Sequence, residues 1–257
     1  MPRQARQMSS TGIYHLIVRG INREVIFQDD NDRQRYIATL ARIAADSNAT
    51  VLGYCLMDNH VHILIKEGLT SISKLMHRLG ASYAHYYNTR YERVGHVFQN
   101  RFKSENIEND NYLLSVIRYI HQNPVKAGIV TKSEQYQWSS CRVYYGGKDN
   151  LPGLTNTSFI LGLFSENTEQ AIALMRQFTE IETLDNCMED IKRNALSDAK
   201  ACQVIEKVLN NKPISILGEM SKPDRDAVLH QLKQDEGLSI RQISRLTGVS
   251  FNIVKRA

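Results

Sequence analysis

Residues 54–66 read YCLMDNHVHILIK, and their pattern decides the first part of the fold. From Val61 to Ile65 the stretch is β-branched and apolar enough for a strand, where residues i and i+2 share a face. Val61, Ile63 and Ile65 then enter a core, and His60, His62 and Lys66 line the opposite side of a sheet. Two neutral imidazoles two residues apart can converge on one divalent ion and leave positions for a substrate oxygen. So short a motif also occurs on strands that hold no ligand, so the rest of the chain has to decide.

Working outward, residues 50–57 form a second strand, and Asp58-Asn59 is a turn signal that pairs it with the histidine strand as a hairpin. Upstream, YHLIVR at residues 14–19 is a strand ending at Gly20, and DDNDR opens a helix that runs to about Ser47. Downstream, Ile72, Leu75, Met76, Leu79 and Tyr83 recur at helical spacing over residues 71–91. Residues 97–107 return to strand character, with Gln99, Arg101 and Lys103 on one face. A last helix over residues 111–123 buries Leu113, Val116, Ile117 and Ile120, and Pro124 stops it.

The order β-α-β-β-α-β plus a helix predicts an α+β fold: a ferredoxin-like antiparallel sheet with helices on one face and the other open to a nucleic acid. Residues 138–145 read as a tail packing back on this domain, and GGKDNLPG at residues 146–153 as a linker. The domains expected are therefore 1–147 and a smaller all-helical 148–257. The latter ends in a helix-turn-helix at about 239–257. There Ser239 caps a helix with Ile240, Ile243 and Leu246 inward, residues 247–249 turn, and Ser250 caps a helix with Ile253 and Val254 inward.

Composition leans toward an anionic partner. The 257 residues carry a net charge of +5, with 19 Lys and Arg against 13 Asp and Glu in residues 1–150, and 13 against 14 in the remainder. The basic excess sits with the histidine strand, and Arg241, Arg245, Lys255 and Arg256 add a second basic cluster at the end of the chain. Cys55, Cys141, Cys187 and Cys202 show no C-x-x-C spacing, against a zinc ribbon or a disulfide scaffold. With no apolar run long enough for a bilayer and no hydrophobic leader in MPRQARQMSS, a cytoplasmic location without membrane contact is expected.

Tyr119 and Asn123 lie one helical turn apart, on a flank turned away from the apolar stripe and so outside the core. A tyrosine hydroxyl there can attack phosphorus if a cation held by the histidines polarises the phosphate, and the Asn123 carboxamide can join the same ion.

The set YHLIVRG, DNHVHILI, GHVFQNRFKS and NYLLSVIRYIHQNPVKAGIV, in that order, resembles the single-tyrosine HUH transposases, and among them the REP-associated tyrosine transposases. The likeness covers about residues 8–145; residues further on are more loosely similar to helical domains shared with the DNA-binding end of a replication initiator. It implies that His60 and His62 are metal ligands and that Tyr119 is the nucleophile. Insertion-sequence members place a third-ligand glutamine four residues after the tyrosine; that position is Asn123 here, with His15 and His121 as alternatives. The ion implied is Mg2+ or Mn2+.

These observations lead to a metal-dependent single-stranded DNA endonuclease and strand transferase. It would work through a 5′-phosphotyrosine, as a monomer or homodimer, and the resemblance implies repeated palindromic hairpin DNA as its substrate. Gln99, Arg101 and Lys103, with Arg19 and Arg118, are the expected backbone contacts. Its rival is a regulator that binds DNA by the helix-turn-helix and single strands by the sheet without cutting.

Overall fold

The structure, a computed structural model, describes residues 7–181, 187, 198–210, 212–218, 220–234, 238 and 240–256. Strand β1 (Ile13–Arg19), helix α1 (Asp30–Asp46), β2 (Thr50–Met57), β3 (His60–Lys66), α2 (Ile72–Arg90), β4 (Lys103–Ile107) and α3 (Asp110–Lys126) follow in the expected order. The strands form one antiparallel sheet in the order β2-β3-β1-β4, the ferredoxin-like arrangement. Val61, Ile63 and Ile65 are fully buried. Helices α1 and α2 pack on each other. Asp29 caps α1 by accepting from the Asp32 amide. The buried Asp32 carboxylate in turn accepts from Tyr86 Oη at 3.0 Å, Tyr91 Oη at 2.8 Å and Arg90 Nη1 at 2.8 Å, pinning the start of α1 to the end of α2.

The histidine face of the sheet is not open. Asn109 caps α3 by accepting from the Tyr112 amide, and the stripe Leu113, Val116, Ile117 and Ile120 comes down on β2 and β3. Contact is close because β2 has no side chain at Gly53: a Cβ there would overlap Ile117 Cδ1. An apolar stripe has to be covered, and the sheet's second face is the apolar surface within reach. The helix also runs past Pro124 to Lys126, closing with the Ala127 amide on the Asn123 carbonyl and left-handed Gly128. A proline in the last turn forfeits one backbone bond and leaves the helix intact.

Strand β4 is shorter than expected. Asn100 has φ 60°, a left-handed conformation that breaks the pleat, so residues 97–102 form a loop clipped to β1 by the Gln99 amide on the Arg19 carbonyl at 2.8 Å.

The chain divides into compact units 1–188 and 189–257, so the boundary lies about forty residues beyond the one expected. The Gly- and Pro-rich segment 146–153 is a built corner. Asp149 accepts from Tyr54 Oη and from the Thr155 amide, each at 2.8 Å, and Asn150 Nδ2 donates to Tyr54 Oη at 2.9 Å and the Gln137 carbonyl at 2.7 Å. Beside it the Leu56, Ser140 and Asn156 amides donate to Trp138, Tyr54 and Val51 carbonyls, laying later chain along the outer side of β2. Helices α4 (Ser158–Leu161) and α5 (Thr168–Glu180) then add Ile160, Leu161, Ala171 and Met175 to the same core. Residues 138–145 pack back as expected, burying Trp138 and Tyr144.

The second unit has its own core, including Ile205, Leu229, Leu232, Ile243 and Val254, built by α6 (Asp198–Val208), α7 (Lys222–Gln234), α8 (Ile240–Thr247) and α9 (Phe251–Arg256). Helices α8 and α9 are joined through left-handed Gly248, with Ile240, Leu246 and Ile253 partly buried against that core. The expected cap Ser239 lies outside the described residues. Among the described residues Cys55, Cys141 and Cys202 are free thiols, and no helix is long and apolar enough to cross a membrane.

Gly53→Val brings a Cβ onto Ile117 Cδ1 and to 3.3 Å from Ser140 Oγ, with two methyl groups still to place. Overpacking of this kind is expected to destabilise the first unit by about 1–3 kcal/mol, read as a lowered midpoint in urea denaturation.

Candidate active site

Period-2 alternation and antiparallel register set the site. His60 lies opposite Arg19, His62 opposite Ile17, and His15 opposite Glu105 on the other side of β1. All of these side chains stand on the face that α3 covers. The His60 and His62 rings are 5.0 Å apart at 82°, and Tyr119 approaches His62 edge-on at 5.5 Å and His15 at 6.1 Å. Asn123, one turn further along α3, brings Nδ2 to 3.4 Å from His62 Nε2 and also bonds His60. The tyrosine, the carboxamide and both histidines thus meet.

Each imidazole has a further partner. His60 Nδ1 is 2.7 Å from Asn59 Oδ1. His62 Nδ1 is 3.0 Å from His15 Nε2, and His15 Nδ1 is 3.4 Å from Glu105 Oε2. His15 therefore stands behind His62, its Nε2 on that ring and its Nδ1 toward Glu105. His121 is turned into the core: its Nε2 bonds Ser140 Oγ at 3.0 Å, and its ring packs on Tyr144.

Burial dominates the electrostatics. Removing the rings from water disfavours their charged forms, so His60 is pushed down to about 4, with Arg19 adding to the effect, and His121 to about 3. His62 is held well below its ordinary value by burial and then by His15, His60 and Arg19; burial also lowers His15 against a partial offset from Glu105. Neutral imidazoles with a lone pair free are the form that binds a cation.

The cationic candidates separate. Arg19 is half-buried and close enough to Tyr119 and His60 to interact with both. Exposed Lys103 stands on the same face of β4 and feels Arg19. Gln99 and Arg101 are exposed, but on the loop before β4 and not in an alternating strand. Arg118 is only 7% exposed, with its guanidinium 4.1 Å from the Phe178 ring centre on α5, so it packs inside the first unit instead of facing a ligand. Arg245, Lys255 and Arg256 are exposed on α8 and α9; the Arg241 side chain lies outside the description. Tyr119 itself is 7% exposed and part of the core, contrary to the flank expected for it. Sequence reasoning missed Asn59, Glu105 and Lys126, whose Nζ lies 5.2 Å from the Tyr119 ring centre.

A ferredoxin-like sheet on which a histidine pair, a tyrosine and a carboxamide converge defines a class of protein by its site. Residues 8–123 match the family described as IS200-like transposases, a span that includes both histidines, Tyr119 and Asn123. The resemblance read from the motifs is met over that span. A solved structure titled as a REP-associated tyrosine transposase bound to a REP hairpin is similar at 19% identity and TM-score 0.49, covering 61% of this chain and 90% of that one. No curated protein matches the chain.

The buried histidines make the fold acid-sensitive in a defined direction. Their folded values lie below the ordinary 6.5, so between about 6.5 and about 4 the unfolded chain binds protons that the folded chain does not, and stability falls with pH. Thermal melts from pH 7 to pH 4.5 are expected to show this fall. His121→Gln is expected to flatten it, since each such histidine contributes up to about 1.4 kcal/mol per pH unit.

Proposed function

We propose that the first unit is a metal-dependent single-stranded DNA endonuclease and strand transferase acting on hairpin DNA. The observation that carries this is the edge-on approach of Tyr119 to His62, with Asn123 one turn away against the same imidazole. The match of residues 8–123 to IS200-like transposases supports it.

The donor set suits a divalent cation. Two neutral imidazoles, His62 fully and His60 partly buried, and a carboxamide would supply two nitrogens and one oxygen, leaving coordination positions for phosphate oxygens. The third protein donor is Asn123, which already lies against His62 and would turn its amide to present oxygen. Such a donor set suits Mn2+ and also admits Mg2+. When bound, the cation supplies polarisation of the scissile phosphate.

Tyr119 Oη attacks phosphorus, the bond to the 3′ oxygen breaks, and that oxygen leaves with the electron pair as a 3′-hydroxyl end. A 5′-phosphotyrosine remains. The linkage keeps the phosphodiester energy, so a DNA 3′-hydroxyl can reverse the step without ATP. Arg19 offsets charge developing near the phenolate, and Lys103, Arg101 and Gln99 hold the backbone leading to it. The resemblance points to repeated palindromic elements as the hairpins, and the exposed cations of α8 and α9 are assigned to targeting duplex DNA.

Tyr119→Phe keeps the ring in the core and removes one oxygen. Adduct formation with labelled hairpin DNA and Mn2+, read on denaturing gels, is expected to fall by at least about a thousandfold, while affinity in EDTA stays within about twofold because backbone charge carries it. Tyr112→Phe is the control. A denaturation-resistant adduct on Tyr119→Phe would overturn the assignment, and a wild-type protein that binds but never forms one is the non-cutting regulator. His60→Ala or a chelator is expected to abolish cleavage. His60 is the better probe because His62 is fully buried and its loss would unpair His15.

A further inference from the structure

An imidazole offers a lone pair to a cation only if its proton sits on the other nitrogen, so a site built on two histidines needs a means of holding each tautomer. The turn before β3 does this for His60. Asn59 Nδ2 donates to the Arg23 carbonyl at 3.2 Å, so its oxygen is the end that faces His60 Nδ1 and holds the ring's proton there.

His62 has no turn residue to serve it. Three adjacent strands place a row of groups across the sheet instead: His62 on β3, His15 on β1 and Glu105 on β4. One proton lies between the two rings, and it can belong to either. If His15 Nε2 carried it, the His15 Nδ1 lone pair would face the Glu105 carboxylate, which can only accept, and the His62 proton would sit on Nε2 toward the amide hydrogens of Asn123. Both ends of the row would then be repulsive. If His62 Nδ1 carries it, His62 donates to His15, His15 Nδ1 donates to Glu105, and Asn123 Nδ2 donates to the bare His62 Nε2. Every contact is then satisfied, as fully buried rings require.

We infer that Glu105 and His15 are positioning residues that lock His62 in the tautomer whose Nε2 lone pair faces Asn123, and that they keep the ring from turning over. The use of that lone pair for a cation rests on the function proposed above; the tautomer does not. Partners of this kind commonly change metal affinity by about ten- to a hundredfold.

The test uses the full chain with 15N-labelled histidine and no DNA. Two-bond 1H–15N spectra in EDTA at neutral pH report which nitrogen of His62 is protonated, and Mn2+ titration reports affinity. Wild type is expected to carry the His62 proton on Nδ1. Glu105→Leu, at a partly exposed position of the edge strand, is expected to populate the Nε2–H form and to weaken Mn2+ binding by about ten- to a hundredfold. Glu105→Gln, which retains a carbonyl acceptor, is expected to fall between. Hairpin affinity in EDTA should stay unchanged in both. A wild-type His62 protonated on Nε2, or a Glu105→Leu protein with unaltered tautomer and Mn2+ affinity, would overturn the inference. If wild type binds no Mn2+ but Glu105→Leu still shifts the tautomer, the positioning role stands and the metal reading falls.

Discussion

Ile117 on α3 rests on the bare backbone of Gly53, and a helix held that close to the sheet carries Tyr119 and Asn123 directly over the histidines. A side chain on β2 at this point would meet the tip of Ile117, which would have to turn aside or carry α3 and its reactive groups outward. In chemistry that depends on positioning, a displacement of about 1 Å can cost two orders of magnitude in rate. The packing of one core helix and the geometry of the site are therefore the same constraint.

Placing the site beneath a core helix sets its chemistry. Four imidazoles are withdrawn from water, and burial drives each toward the neutral form. On the open sheet expected from the sequence, His60 and His62 would titrate near neutrality and stay solvated. Under α3 they are neutral acceptors and donors in fixed directions. Tyr119 gains in the same way: its ring is held by packing, so its hydroxyl is aimed without help from solvent.

How far the sequence could be read follows from what each pattern encodes. Alternation along residues 60–66 put His60 and His62 on one face because strand period admits no other outcome, and the i, i+4 spacing of Tyr119 and Asn123 survived because helix period is equally rigid. The stripe on α3 showed that the helix is buried but not against which face. Tyr119 was therefore left out of a core that includes it. Glu105 was within reach: it continues the odd-numbered alternation of Lys103 and shares parity with His15, but only the strand order reveals that β4 and β1 are neighbours. The segment 146–153 misled because glycine, proline, asparagine and aspartate mark a tight corner as readily as a tether. Only the partners of Asp149 and Asn150 on Tyr54 tell the two apart.

That corner bears on how the protein can associate. Strand β2 lies at one end of the sheet, and an uncovered edge strand is a template for strands from other chains. Here chain from some eighty to a hundred residues later bonds the Val51, Tyr54 and Leu56 backbone, through Asn156, Ser140 and Trp138. The opposite edge, β4, is five residues long and reads KSENI. It offers little length and only one strongly apolar side chain to a pairing strand. Extending the sheet is blocked on one side by the protein's own chain and disfavoured on the other, so neither edge readily takes a strand from a second chain.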